Sequence, residues 1–428
     1  MAFDGGAEFR IELRAAQMNM DASLRSIAFF AQVLIAALVC GCTAENATGD
    51  PRDTLLAAND RINKLVESER AVQQPPPPRP PLPLHSDSPL RFWYYAHPLI
   101  AEHFDGAPLA IAGTTVQPQF MGEWPVAVQK WMASFAADDL PDVGMVKRDL
   151  VARLYNAGRI RPLDSVLPRS LVDDLRPEVL ADYTYDGHLI ALPADGFCSL
   201  LYFNRRSVGA EPPKNWAFLA AYLNAHRATP SPPPPRGMGA FPFLEALWSA
   251  DGDVLKNGVG ALHCPEAQRA LEFSIEVTRG SLVSEARAFR EWTAGELAMT
   301  IASSRNLPAA AASDVDFGIA PVPGETGPIS RRSNDAVVVF SRGSGASEES
   351  IAAFLDWLTG SQVMGEAALT AGSVPLRKSL LEFESRVPEI AAAYAAGRNS
   401  PLHPNWGAIE AELQIEVARA YRKPDQSS

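Results

Sequence analysis

The sequence predicts an α/β protein with a mainly parallel sheet and crossover helices. Three observations carry this. From Leu90 onward, short apolar runs alternate with longer runs of helical period, as in "LRFWYYA", "TTVQPQFMG" and "DVGMV" against "WPVAVQKWMASFAA" and "RDLVARLYNAG". In "WPVAVQKWMASFAA" the apolar residues fall three and four apart, and "RDLVARLYNAG" stops on Gly158, a normal helix end. A β-α-β-α-β order is satisfied by parallel strands with helices packed over the sheet. With 428 residues the chain suits two or three domains.

Taken in order, the elements begin with a segment outside the fold. Arg25 precedes the apolar run Ile27 to Val39, followed by Cys40-Gly41-Cys42. The run is short for a membrane span and fits the apolar centre of a secretory signal. "LVCGC" resembles a bacterial lipobox, which implies that residues 1–41 are removed and Cys42 is lipidated; Met18 and Met20 are alternative starts. Residues 43–74 are polar and permit a helix, with a loose stripe of Leu55, Leu56, Ile62, Leu65, Val66 and Val72. "PPPPRPPLPLHSDSP" follows and favours extended polyproline II, rising ~3.1 Å per residue. Residues 42–89 therefore read as a tether holding a globular body off a membrane.

In the body, "LIAEHF" reads as a short helix between the first two strands. The second half continues in α/β style with longer helices. "FLEALWSADGDVL" and "PEAQRALEFSIEVTRG" are helical, and "FREWTAGELAMTIAS" is a helix running into a strand. "VDFGIAPVPG" and "DAVVVFS" are strands. "SEESIAAFLDWLTGSQVMGEAAL" is helical with Ser347 as N-cap. "TPSPPPPRG", 229–237, reads as a surface insertion, and "NWGAIEAELQIEVARAY" as a last amphipathic helix.

Composition excludes some functions. Hydrophobic residues make up 47% and charged residues 21%, ordinary for a soluble body. A net charge of −12 argues against nucleic acid as a partner. Four cysteines are present. With Cys40 removed in the signal and Cys42 lipidated, Cys198 and Cys264 remain, as one disulfide or two free thiols. No cysteine spacing suggests a metal site, and no cofactor motif is present. There is no Gly-x-Ser-x-Gly and no His-Glu-x-x-His, and the carboxylates are unclustered, so a secreted hydrolase is the weakest reading.

Over residues 90–422 the chain resembles the bacterial extracellular solute-binding proteins of the maltose-binding type, which serve ABC importers. The resemblance rests on "LPDVGMVKRDLVARLYNAGRIRPLD", "GHLIALPADGFCSLLYFNRRSVGAEPPKNW", "TAGELAMTIA", "DFGIAPVPG" and "AAFLDWLTGSQVMGEAALTAGSVPLRKS", in that order. Phe203 and Arg205 depart from the family's usual Tyr and Lys, and "TIASSRNLPAA" lacks the aromatic frequent in sugar binders. The resemblance implies a two-lobed periplasmic-binding-protein-like fold with a hinge and an interlobe cleft. Residues 90–196 plus about 281–334 would form the first lobe, and 197–280 plus about 335–428 the second. "ALPADGFCSLLYFNRR" would cross between lobes, bending at Cys198-Ser199. Ligand contacts made by both lobes would stabilise the closed form, which docks on a membrane permease.

In open α/β sheets ligands bind beyond the strand ends, which nominates the candidate contacts. These are Tyr95 and His97 after the first strand, Glu123 and Trp124 after the second, and Lys147 and Arg148 after "VGMV". Asp195 and Phe197 lie in the crossing. Phe241, Phe243 and Trp248 lie in the second lobe's first helical region. Ser303, Ser304 and Arg305 follow "LAMTIA", Arg332 and Asn334 precede "AVVVF", and Trp406 begins the last helix. Bland readings stand beside these. Trp93 and Trp131 lie on regular stripes and belong to the core; Phe243 and Trp248 fit a core face equally well. His97 fits a local hydrogen bond, Arg332 a solvated pair with Arg331, and Asp195 a turn.

The aromatics favour a sugar, whose C–H faces stack on rings while polar side chains bond its hydroxyls. Convergent Lys147, Arg148, Arg305 and Arg332 would instead grip an anion, a phosphorylated polyol such as glycerol 3-phosphate. A neutral or weakly polar sugar is the preferred expectation, delivered by a monomeric lipoprotein to ABC permease subunits. A sensor docking on a receptor is the alternative of another class.

Overall fold

The computed structural model describes residues 51–421, apart from 71–87, 96, 98–99, 101–102, 105–107, 112, 226–235, 239–241, 279–282, 333–334, 344 and 366–370. The signal segment, Cys42, the proline-rich run, Phe241, Asn334 and most of "LIAEHF" and "TPSPPPPRG" lie outside the described residues.

Ten strands form two sheets. In chain order they are β1 (Leu90–Tyr94), β2 (Leu109–Ile111), β3 (Thr114–Phe120), β4 (Val143–Lys147), β5 (Leu192–Pro193), β6 (Ser199–Asn204), β7 (Arg236–Met238), β8 (Leu297–Ser303), β9 (Phe317–Ala320) and β10 (Asp335–Val339). The first sheet runs β2-β3-β1-β4-β10-β5 and the second β9-β6-β8-β7. In the first, β1 is parallel to both β3 and β4, as the alternation of elements predicts. The edge strand β2 pairs antiparallel with β3, and β10 pairs antiparallel with both β4 and the other edge strand, β5. In the second, only β7 and β8 are parallel.

Helices Trp124–Ala137 and Arg148–Asn156 follow β3 and β4 and cover the first sheet. Its core joins Phe92, Trp131, Val143, Met145, Val337, Val339 and Phe354. Gly144 is required there. A Cβ would sit 2.6 Å from the Trp131 ring and 2.9 Å from Phe340. In the second sheet, alternate residues of β6 serve opposite faces, as the pleat dictates. Leu201 and Phe203 join Leu247, Met299 and Trp406. Leu200 and Tyr202 join Trp292 and Tyr394. The unbroken apolar run "LLYF" is thus a strand covered on both faces.

Two expected boundaries change. Strands β8 and β9 pair with β6, so residues near 297–320 belong to the second lobe. Strand β10 pairs with β4, so 335–339 belong to the first, as does the helix Glu348–Thr359, which packs on β2 and β3 and joins the same core. The sequence-based split had these two segments exchanged, because antiparallel return strands carry no signal of which sheet they join. Moreover, residues 51–70 of the expected tether form a helix. Leu55, Ala58, Ile62 and Val66 recur at helical spacing and are buried in the second lobe's core. Arg61 pairs with Glu412 and Glu416 of the helix Trp406–Tyr421, and Asn405 donates to the Leu65 carbonyl at 2.7 Å. The helix is part of the body.

The chain leaves the first sheet at β5 and enters the second at β6, so the crossing is Ala194–Cys198. Ser199 already pairs with Ser303, which places it past the expected bend. Gly196 is the tight point of the crossing. A Cβ there would lie 2.0 Å from the Val374 carbonyl oxygen. Arg236 and Gly237, expected in a surface loop, lie in the edge strand β7. Cys198 is buried, and neither it nor Cys264 is in a disulfide. No described helix is long and apolar enough to cross a membrane.

Candidate functional site

Where the sheets meet, opposite charges are brought together by strand register. Asp335 begins β10 and is the antiparallel partner of Lys147, which ends β4. The Lys147 Nζ lies 2.5 Å from the Asp335 carboxylate. Tyr95, one residue past the adjacent β1, donates its hydroxyl to the same carboxylate. Asp195 in the crossing bonds His97, and its Oδ1 accepts the Phe197 N–H. From the second lobe, the turn after β8 delivers Arg305; its Nη2 is 2.6 Å from Asp195 and also bonds Asp335. The Ser303 side chain caps that turn by accepting the Arg305 N–H. Aromatic faces line the cations. Arg305 sits 4.7 Å above the Phe197 ring, and Lys147 lies 5.2 Å from Tyr95 and 5.8 Å from Trp124.

Asp195 and Asp335 are fully buried. Burial alone would raise both carboxyls; Arg305 and His97 hold Asp195 below its ordinary value, and Arg305 and Lys147 do so for Asp335. Burial, then the Asp335 charge, raises the Tyr95 phenol. His97, Asp195 and Asp335 offer metal-type donor atoms within 4.8 Å of one another. Those carboxylates already bond Arg305, Lys147 and Tyr95, so a divalent cation there would face two fixed positive charges. The cluster is an ion-pair network rather than a fitting metal site.

A second polar group lies beside it. Arg331 sits on the short parallel ladder Ser330–Arg331 with Gly397–Arg398. Its Nη1 is 2.8 Å and its Nη2 3.1 Å from the two Glu410 oxygens, and Glu410 also accepts the Trp406 indole N–H at 2.8 Å. Trp406 and Glu410 are four apart on one helix and share a face. Burial would lower the Arg331 guanidinium; Glu410, then Glu245 of the helix Phe243–Ser249 and Asp149 of the helix Arg148–Asn156, hold it above its ordinary value. A Cβ on Gly407 would come within 2.8 Å of Asp149, so the second lobe's last helix meets the first lobe here.

Of the expected contacts, Tyr95, His97, Trp124, Lys147, Asp195, Phe197 and Arg305 come together, and Trp406 belongs to the adjoining group. Glu123 is exposed at the start of its helix and touches neither group. Phe243 is packed in the second core. Trp248 is buried there too, its ring 4.8 Å from Arg398. Buried Ser304 accepts the Cys198 N–H in the hinge region.

Arg332 departs most from expectation. It is buried, bidentate to Asp182 at 2.6 and 2.9 Å, and donates to the Tyr394 and Gly397 carbonyls. Arg148 donates to the Asp182 and Ser400 carbonyls. Both guanidiniums brace the junction of the lobes and have few donors left for a ligand. Sequence reasoning missed Asp335, Asp149, Glu245, Arg331 and Glu410. The four-residue spacing of Trp406 and Glu410 was a usable signal; the position of Asp335 follows only from its pairing with Lys147.

The family model for bacterial extracellular solute-binding proteins matches residues 109–396, well over half of the chain. Among curated proteins none matches. Solved structures share the fold. The sugar-binding protein MalE of Xanthomonas citri is 20% identical, with a TM-score of 0.65 over 78% of this chain and 92% of its own. MalE of Bdellovibrio bacteriovorus, bound to maltotriose, is 19% identical, with a TM-score of 0.62 over 79% and 96%. The GacH receptor of Streptomyces glaucescens, solved with acarbose, is 20% identical, with a TM-score of 0.62 over 78% and 94%. The two-sheet architecture and the family match agree: this chain belongs to the bacterial extracellular solute-binding proteins.

Proposed function

We propose that the protein captures a sugar or oligosaccharide between its lobes outside the cytoplasm and presents it to an ABC permease. The carrying observation is the reach of Arg305 from the second lobe onto Asp195 and Asp335, beside Trp124, Tyr95 and Phe197. Aromatic faces and polar edges from both lobes suit a ligand with C–H faces and hydroxyls. The similar folds of maltotriose- and acarbose-bound proteins support the same ligand class. Lys147 and Arg305 are already matched by carboxylates, which disfavours a phosphorylated polyol.

Closure follows from differential contact. A ligand touching both lobes stabilises the closed form by the contacts it lacks in the open one. The reading includes a monomer anchored by lipid on Cys42. A thermal-shift screen of the mature chain against maltotriose, other oligosaccharides and glycerol 3-phosphate tests the ligand. Stabilisation by a sugar, with a smaller radius in scattering, is the expected result. A response to glycerol 3-phosphate alone would overturn it. Palmitate labelling of the chain, lost in Cys42→Ser, tests the anchor.

A further inference from the structure

With the lipid proposed on Cys42, the chain enters its folded body through the second lobe. The helix Pro51–Arg70 is the first described element, and its Leu55, Ala58, Ile62 and Val66 are buried in that lobe's core. The first lobe's opening strand, β1, starts only at Leu90. The proline-rich run lies between these two elements in the chain, so it adds nothing to the reach of the anchor. Residues 42–50 alone form the leash, and nine residues extend at most about 30 Å. That is about the length of the helix that follows. The second lobe is therefore held within one helix length of the bilayer.

One edge of this helix offers a surface. Arg52, Leu56, Asn59 and Asn63 recur at helical spacing and share that edge. The short hairpin Leu255–Lys256 with Val259–Gly260, and the chain that follows it, run alongside. The Asn63 Oδ1 accepts the Gly260 N–H at 2.7 Å, and the Asn59 Oδ1 accepts the Leu262 N–H at 3.0 Å. The Arg52 Nε donates to the Gln268 side-chain oxygen at 2.8 Å. Two large apolar side chains flank this seam, Leu56 at 51% exposure and Val259 at 47%. The exposed charges beside them, Arg52, Asp53 and Lys256, are of mixed sign. Apolar side chains among mixed charges suit the headgroup boundary of a bilayer, where the apolar groups seat and the charges stay in water.

We infer that the second lobe rests on the membrane along this seam, with Leu56 and Val259 against the lipid, and that the first lobe is the half that swings when the cleft closes. This rests on the lipid-anchor reading above. The anchor reaches the first lobe only through the helix Pro51–Arg70, so the bilayer restrains the first lobe least.

The test is hydrogen exchange of the full lipidated chain on vesicles of phosphatidylethanolamine and phosphatidylglycerol, against the same chain in solution as Cys42→Ser. Exchange over residues 52–58 and 256–263 is expected to slow several-fold on the vesicles, while residues 114–126 of the first lobe keep their rate. The double variant Leu56→Asp with Val259→Asp, altered only at exposed positions, should still float with the vesicles through its lipid but lose that protection. Flotation of the wild-type chain, absent in Cys42→Ser, reports the anchor independently. If the wild type floats and the seam exchanges as fast as in solution, or residues 114–126 are protected instead, this inference falls and the anchor reading stands. Protection that survives in the double variant also overturns the surface assigned here. A wild-type chain that does not float overturns both.

Discussion

Lys147 at the end of β4 and Asp335 at the start of β10 are register partners, and the ammonium sits 2.5 Å from the carboxylate. The same buried carboxylate serves Tyr95 and, from the other lobe, Arg305. Removing it leaves three donors facing a site built for an anion. Breaking a buried pair by deleting one partner costs about 3–5 kcal/mol. Asp335→Ala should lose stability of that order in urea unfolding, whereas Lys147→Met, at a partly exposed position, should lose far less. A wild-type midpoint for Asp335→Ala would mean that the network contributes nothing to stability.

Arg332 and Asp182 form a buried bidentate pair at the junction of the lobes. Arg332→Ala leaves the Asp182 carboxylate without its charged partner, held by the Asn399 amide, and removes a donor from the Tyr394 and Gly397 carbonyls. The expected loss is again about 3–5 kcal/mol. Arg332→Lys should recover only part of it, because an ammonium cannot reproduce the fork. If ligand affinity vanished in Arg332→Ala while stability stayed intact, the residue would be a ligand contact and not a brace.

Stability should depend on pH through Glu245. Its carboxyl is raised by burial to about 7, so the folded protein keeps a proton that the unfolded chain has released. Where the folded state binds more protons, stability falls as pH rises. The decline should begin near the ordinary carboxyl value, end by about pH 7, and amount to roughly 3 kcal/mol. Glu245→Gln should flatten that part of the profile. Asp195 and Asp335 act in the opposite sense. Their carboxyls are held low, so their contribution is present at neutral pH and lost in acid. Urea titrations from pH 3 to 8 would separate the two limbs.

The helix Pro51–Arg70 should be indispensable to the second lobe. Leu55, Ile62 and Val66 are almost fully buried. At about 1.5–3 kcal/mol for each large side chain, the helix contributes on the order of 5 kcal/mol. A chain beginning at residue 88 should lose hydrogen-exchange protection in β6 and the helix Trp406–Tyr421 before β1 and β4 are affected. Ile62→Asp should act in the same direction. Uniform protection in the shortened chain would make the helix an ornament.

Much of the fold was legible because periodicity is local. The β1 to β4 unit, the doubly covered β6 and the Ser347 cap, which accepts the Ser350 N–H at 3.2 Å, follow from spacing alone. Partnership between distant strands was not legible. Nothing in "DAVVVF" says that it pairs with "VGMVK", and so Asp335 went unnoticed while its neighbours Arg332 and Asn334 were nominated. The stripe Leu55, Ile62, Val66 was visible, but its burial required the helix Trp406–Tyr421 as a partner. The loose polar context hid that it was half of an interface.

That interface also governs when the protein can finish folding. Arg61 and Glu412 are 351 positions apart in the chain yet hydrogen-bonded in the structure. The first helix waits for the last one. Until residues 406–421 have been synthesised, Leu55, Ile62 and Val66 lack much of their burial. Contacts of such long range slow folding, because the chain must close its largest loop before the reward appears. The second lobe should therefore be the late-folding half, completed only when the entire polypeptide is present.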